Sequence, residues 1–401
     1  MSYNFDEIVN RYGTSSIKWD LNAPKNQAGA TRPIPMMIAD MDLKCPPAII
    51  EAMRRVAERG VYGYTSHFAE PRYLAALCDW YGRRYGTVIE EDWVLYSTGS
   101  VTGINCAVNA FSSPGDGVII MSPVYGHFRD MIENETYRRV VDSHLINTDG
   151  YYTVNWADFE EKCAQPTNRV FILCSPANPV GRVWSEEELR RMADICKRNH
   201  VTLISDEIHS DIVRSGVTHT TILKAAADHS NIIMINGVNK SFNVAGLHCA
   251  NVIIPDENLR GIFKSRFGEH LPSPFSVAAL IAAYDESEDW LDALNKYLDD
   301  NIDFAMDFIK ERMPGVKIRR PEGTYVLWLD FSGYGLSGEE IHRRIYDNAR
   351  VLLQDGLVHD LRGGECFQRI CIPVPRALLE EALTRIAAQL EPIPAACAIK
   401  V

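Results

Sequence analysis

Val201-Thr202-Leu203-Ile204-Ser205-Asp206-Glu207-Ile208-His209 is an apolar run of strand length that stops on two acids and a histidine. It follows Ser185–Arg198, a segment with helical spacing in which Ser185 is placed as N-cap and Glu188 completes a capping box. The same alternation extends in both directions. Candidate strands Trp93–Tyr96, Gly117–Met121 and Val170–Cys174 precede it, and Ile232–Ile235 follows. Short apolar strands alternating with helices predict an α/β fold with a mostly parallel sheet covered on both faces. Ligands of such sheets collect at the carboxyl ends of the strands. The residues just after each strand are therefore the candidate site.

Outside this block the pattern changes. The first forty residues are polar and irregular, and Pro24, Pro33 and Pro35 break any helix. Pro46-Pro47 opens a helix that runs to Arg59, with Gly60 placed to cap it. After residue 286 come a long helix (Trp290–Arg312), a strand (Tyr325–Asp330), helical stretches near 338–348 and a last helix (Ala377–Leu390). This reads as a smaller α+β domain completed by the N-terminal arm. The expected division is an arm over 1–46, a large domain over 47–286 and a small domain over 287–401.

Of the 401 residues, 46% are hydrophobic and 23% charged, with a formal net charge of −12. That balance argues against a nucleic-acid or anionic-membrane partner, while a local pocket can still take a small anion. The opening Met1–Glu7 lacks the basic and apolar regions of a signal peptide. The longest near-apolar run, Ser276–Tyr284, is about half the ~20 residues a membrane span needs. The ten cysteines are scattered without a C-x-x-C pair, and several sit in apolar stretches. They read as reduced thiols of a cytoplasmic protein. Neither they nor the eleven histidines show zinc-ligand spacing, so no metal is expected.

Five strand ends carry candidate chemistry. Thr98-Gly99-Ser100-Val101-Thr102 is a glycine turn feeding a helix N-terminus, which suits a phosphate or is a plain turn. Tyr125 could stack on a flat ring or pack at a rim. Asn178, between Pro176 and Pro179, is a positioned amide or ordinary turn chemistry. Asp206 ends a fully apolar strand, where a carboxylate needs a cation, from a ligand or from a salt bridge. His209 can point at the same ligand or be a satisfied core histidine. Lys240 is a solvated strand end or a desolvated nucleophile able to form a Schiff base. Together, phosphate cradle, ring stacker, amide, carboxylate and lysine match the parts of a pyridoxal-phosphate site.

The runs SPANPVG (175–181), SDEIHSD (205–211) and NKSFNVAGL (239–247) resemble the fold-type-I, class I/II aminotransferase superfamily. More narrowly the chain resembles the cystathionine β-lyase (MalY/PatB-type) branch. That likeness extends to IADMDLKCPP near the start, GVYGYT around Tyr64, PEGTYVLWLDF at 321–331 and CFQRICIPVPR at 366–376. The resemblance implies a seven-stranded large domain and pyridoxal 5'-phosphate held on Lys240. It implies Asp206 on the pyridinium nitrogen, Asn178 on the ring oxygen, Tyr125 on the ring face and the phosphate on Gly99, Ser100 and Val101. His209 stands where many aminotransferases carry a tyrosine and could donate toward the ring oxygen. Arg369, with Asn178, Asp40 and Met41, would face the substrate, Arg369 clamping its α-carboxylate. Tyr64 would reach the phosphate of a neighbouring subunit, which implies a homodimer with shared sites.

The chain departs from the pattern at several places. A serine common three residues before the lysine is Gly237, and an arginine eight after it is His248. The branch's usual Trp, Phe and Asn are Met37, Leu43 and Cys371. The resemblance favours β-elimination from L-cystathionine or a cysteine S-conjugate, giving thiol, pyruvate and ammonia. Transamination of an L-amino acid is the alternative. Some branch members also modulate transcription through protein contacts, so a binding role could coexist.

Overall fold

The computed structural model describes residues 3–22, 32–268 and 270–390. Pro24 and Cys397 lie outside them. Seven strands form the main sheet: β1 (Val94–Ser97), β2 (Gly117–Ile120), β3 (Arg139–Asp142), β4 (Asn168–Cys174), β5 (Thr202–Asp206), β6 (Ile232–Asn236) and β7 (Ala250–Ile253). Their spatial order is β1-β7-β6-β5-β4-β2-β3. The five strands from β6 to β3 run parallel, and β7 runs antiparallel to both its neighbours.

The strand sequences explain this layering. Side chains alternate across a strand, yet these strands are apolar at nearly every position. In β4, Phe171 and Leu173 join one core while Val170 and Ile172 join another. Leu203 and Ile204 divide in the same way, as do Met234 and Ile233. Two separate cores on opposite faces are what continuous apolar strands require.

The helices obey their local signals. Helix α1 (Pro47–Arg59) stops at Gly60, whose φ of 66° is the left-handed C-cap conformation. After α2 (Pro71–Tyr85) comes α3 (Ser100–Phe111), which lies close against the sheet: a Cβ on Gly103 would stand 2.9 Å from Val252 Cγ2. In α4 (Glu186–Arg198) both hydrogen bonds of the expected capping box are formed. Helix α5 (Glu257–Phe267) is followed by α6 (Pro274–Glu286), which contains the apolar run Ser276–Tyr284 and is buried along it. No helix among the described residues is long and apolar enough to cross a membrane.

Ser287 alone separates α6 from α7 (Glu288–Arg312). Beyond it, β8 (Val326–Asp330), β9 (Gln354–Asp355) and β10 (Phe367–Cys371) form an antiparallel sheet in the order β8-β10-β9. Helix α8 (Arg376–Ala387) follows it. The arm returns to this part of the chain: Ile34–Pro35 pairs in parallel with Val351–Leu352. Residues 36–39 are thereby carried over the carboxyl ends of the main sheet.

Candidate active site

A cavity of about 300 Å³ lies at those carboxyl ends. Its wall includes Gly99, Ser100, Val101, Tyr125, Asn178 and Asp206, together with His209, Lys240 and Arg369. Five separate strand ends therefore converge on one volume, as the alternation of strands and helices implied.

The glycine turn after β1 ends at Gly99, the N-cap of α3, and no side chain caps this helix. Its first N–H groups are free for an anion at the positive end of the helix dipole. Thr98 and His248 also line the cavity. A Cβ at Gly237 would stand 2.6 Å from the Cys249 carbonyl oxygen. A side chain at Gly237 would require that backbone to shift, so the α3 turn is the main cradle this chain offers an anion.

Asp206 ends β5 and is 5% exposed. It accepts from the Ile208 N–H at 3.3 Å, and no side-chain cation pairs with it among the described residues. Burial pushes its carboxyl up to about 7, against the lowering effect of that hydrogen bond and of Lys240. A buried acid with no internal partner fits a ligand that brings its own positive charge.

Lys240 follows β6 in a single helical turn, Val238–Ser241, and its Nζ donates to the Ala39 carbonyl at 2.6 Å. Burial lowers its basicity, while Cys371 and Asp40 act in the opposite direction. A lysine desolvated in this way has access to its neutral, nucleophilic form. Tyr325 donates to the same Ala39 carbonyl at 2.9 Å, and its ring packs edge-on against His209 at 5.2 Å between centroids. Burial pushes the His209 imidazole down to about 3, helped by Lys240 and Arg369. The ring is thus neutral, and its Nδ1 is buried without a partner among the described residues.

Arg369, on β10, is 2% exposed. Its Nη1 donates to Asn178 Oδ1 at 3.1 Å and its Nη2 to the Met37 carbonyl at 2.6 Å. The first of these bonds orients the Asn178 amide, whose Nδ2 remains as a donor to a ligand. Tyr125 packs edge-on against Phe128 at 5.5 Å, with its ring on the cavity wall.

Three expected site residues lie elsewhere in this chain. Asp40 is held by Arg11 at 2.8 Å and Lys18 at 3.4 Å, and Met41 is buried with its backbone bonded to Asn243. From the same loop it is Met37, Ile38 and Ala39 that line the cavity. The chain turns inward there because the strand pair at Ile34–Pro35 precedes it and the Lys18–Asp42 ion pair follows it. Tyr64 is fully exposed and borders a different hollow of about 330 Å³ with Val61, Thr65 and Arg72. The sequence reading also passed over Ala39, Tyr325 and Gln354. Tyr325 stood within a run already singled out, but nothing local marks Gln354.

The residues present fit pyridoxal phosphate. The uncapped α3 N-terminus suits its phosphate, the unpaired Asp206 its ring nitrogen and the desolvated Lys240 its aldehyde. The sequence profile of the family described as aminotransferase class I and II matches residues 33–386. The chain is similar to cystathionine beta-lyase PatB of Bacillus subtilis, with 37% identity over 96% of this chain and all of that protein. Among solved structures it is similar to cystalysin of Treponema denticola, which contains a pyridoxal 5'-phosphate cofactor. That match has a TM-score of 0.93 and 31% identity, and covers 97% of this chain and 99% of the other. It is similar as well to a pyridoxal-phosphate-bound C–S lyase of Staphylococcus hominis, with a TM-score of 0.91 and 34% identity over 98% and 99% of the two chains.

Proposed function

Because the chain belongs to the class I and II aminotransferase family, we propose that it is a pyridoxal-phosphate-dependent carbon–sulfur β-lyase. Its substrate would be L-cystathionine or another cysteine S-conjugate, and its products a thiol, pyruvate and ammonia. The observation that carries the reading is one cavity holding both a buried, unpaired Asp206 and a desolvated Lys240. The full-length likeness to carbon–sulfur lyases supports elimination over transamination.

Residues 47–286 would hold the cofactor, and the arm (1–46) and residues 287–401 would close over it. Lys240 would hold the cofactor aldehyde covalently, with its phosphate on the Gly99–Val101 turn and Tyr125 against its ring. When bound, pyridoxal phosphate supplies an electron-withdrawing ring that takes up the charge left at Cα after proton removal. Asp206 would hold a positive charge on the ring nitrogen, which burial alone would not sustain. Asn178 Nδ2 would donate to the ring oxygen, and neutral His209 lines the same cavity. Arg369 receives the α-carboxylate through a charge-assisted, bidentate hydrogen bond. Lys240, whose basicity burial lowers, would be the base that takes the Cα proton. The Cβ–S bond then breaks, the sulfur leaves as thiol, and hydrolysis of the remaining fragment gives pyruvate and ammonia.

The protein would work in the cytoplasm as a homodimer, each Tyr64 serving the partner's phosphate. The test is L-cystathionine without any keto acid. Equal amounts of pyruvate and thiol support elimination. Turnover that needs a keto-acid acceptor and frees no thiol identifies an aminotransferase instead.

A further inference from the structure

His359 is 2% exposed and is tied to Val124, the residue before Tyr125. The Val124 N–H donates to the His359 carbonyl at 3.2 Å, and His359 Nδ1 lies 2.9 Å from the Val124 carbonyl oxygen. A backbone carbonyl only accepts, so Nδ1 carries the ring proton. Burial, with the charge of Arg369 nearby, pushes the imidazole down to about 3 and keeps it neutral. Nε2 is then a bare lone pair. The structure sets Gln354 Oε1 3.1 Å from it. Two acceptors at that distance repel. The Val124 carbonyl cannot turn, whereas a half-turn of the Gln354 amide exchanges its oxygen for its nitrogen. Gln354 therefore donates to His359, and its oxygen faces the opposite way.

The neighbour of Gln354 on β10 is Arg369. The two residues are direct partners across the β9–β10 pair, an arrangement that brings side chains within reach, and both line the cavity. The charge of Arg369 is also felt at His359. The Nη1 and Nη2 groups of Arg369 are engaged, but its Nε is buried with no acceptor among the described residues. A buried guanidinium N–H without an acceptor is costly.

We propose that Gln354 is a positioning residue for the substrate-carboxylate clamp: anchored by its amide nitrogen on His359, it offers its oxygen to the Nε–H of Arg369. One rotation satisfies an orphaned donor and removes a clash of acceptors. The relay from Val124 through His359 and Gln354 then fixes Arg369 relative to Tyr125. The proposal rests on the reading of Arg369 as that clamp.

Two measurements on the holoenzyme test it. With ¹⁵N-labelled histidine, and a His359→Gln variant to assign the signal, the His359 ring is expected neutral and protonated at Nδ1. A ring protonated at Nε2 overturns the proposal. In kinetics, Gln354→Leu is expected to raise KM for the amino-acid substrate about tenfold, with kcat within about twofold. Gln354→Glu, which keeps an oxygen for Arg369, is expected to restore KM and to bring a proton to His359 Nε2 in the same spectrum. An unchanged KM in Gln354→Leu, or equal losses in both variants, overturns it. Failure of the lyase reading would appear as no pyruvate from the unmodified enzyme. It would leave the imidazole signal as it is, so the two failures are separable.

Discussion

Burial lowers the basicity of Lys240 and raises the pKa of Asp206, and the second shift has a measurable consequence. Asp206 has a folded-state pKa raised to about 7, well above that of an unfolded aspartate. The folded, cofactor-free protein therefore binds a proton that the unfolded chain releases. The associated stability is present at low pH and is lost as pH rises toward 7. Asp206→Asn should raise the melting temperature of the cofactor-free protein at pH 8 by a few degrees, and the gain should fade toward pH 4. Scanning calorimetry across that range checks this. With cofactor bound the sign should reverse, because Asp206 then has a cation to face. Arg369→Ala removes a charged hydrogen-bond pair of ~1.5–3 kcal/mol, so the Michaelis constant should rise roughly 10–100-fold with a smaller change in kcat. Steady-state kinetics reporting an unchanged KM would remove Arg369 from the carboxylate role. The strand-end residues were legible because each follows a buried run, where a polar group needs a reason. Ala39 and Gln354 were not, since their partners Lys240 and Arg369 are distant in sequence and one contact uses only a backbone carbonyl.

At the level of elements, α3 is positioned by contact with the sheet and α4 by its cap. Gly103→Val places atoms against Val252 and should destabilise by about 1–3 kcal/mol. It should also loosen the cofactor, because the α3 N-terminus lifts from its place. Ser185→Ala should cost about 1 kcal/mol through the lost cap and leave cofactor affinity unchanged. Denaturant melts and cofactor titration of both variants separate the two effects. The elements that the sequence showed are those with one dominant local signal: the apolar strands β1, β2, β4, β5, β6 and β8, and the capped helices. Strand β3, Arg139-Val140-Val141-Asp142, escaped because it is a partly exposed edge with charged ends. Strand β7 escaped because Asn251 interrupts a short run, and that asparagine is buried and bonded to Tyr73 and Asn236. Tertiary partners decide such positions, and no local pattern records them.

At the scale of the whole molecule, fully exposed Tyr64 borders a hollow with exposed Val61 and does not line the cavity of its own chain. The homodimer reading gives Tyr64 its role. Tyr64→Phe should release cofactor more readily without altering the monomer fold. Mixing Tyr64→Ala with Lys240→Ala chains should regenerate activity, since a hybrid holds one site with both residues intact. Equilibrium dialysis and a mixing assay check these outcomes. A hybrid with no activity would confine each site to one chain.

Every role proposed for this cavity requires a covalent bond between Lys240 and pyridoxal phosphate. Borohydride reduction of the holoenzyme, followed by peptide mass spectrometry, examines that bond directly. The predicted result is one reduced pyridoxyl group per chain on Lys240, and none on any peptide of the Lys240→Ala variant. A label on another lysine, or no label at all, would contradict the account.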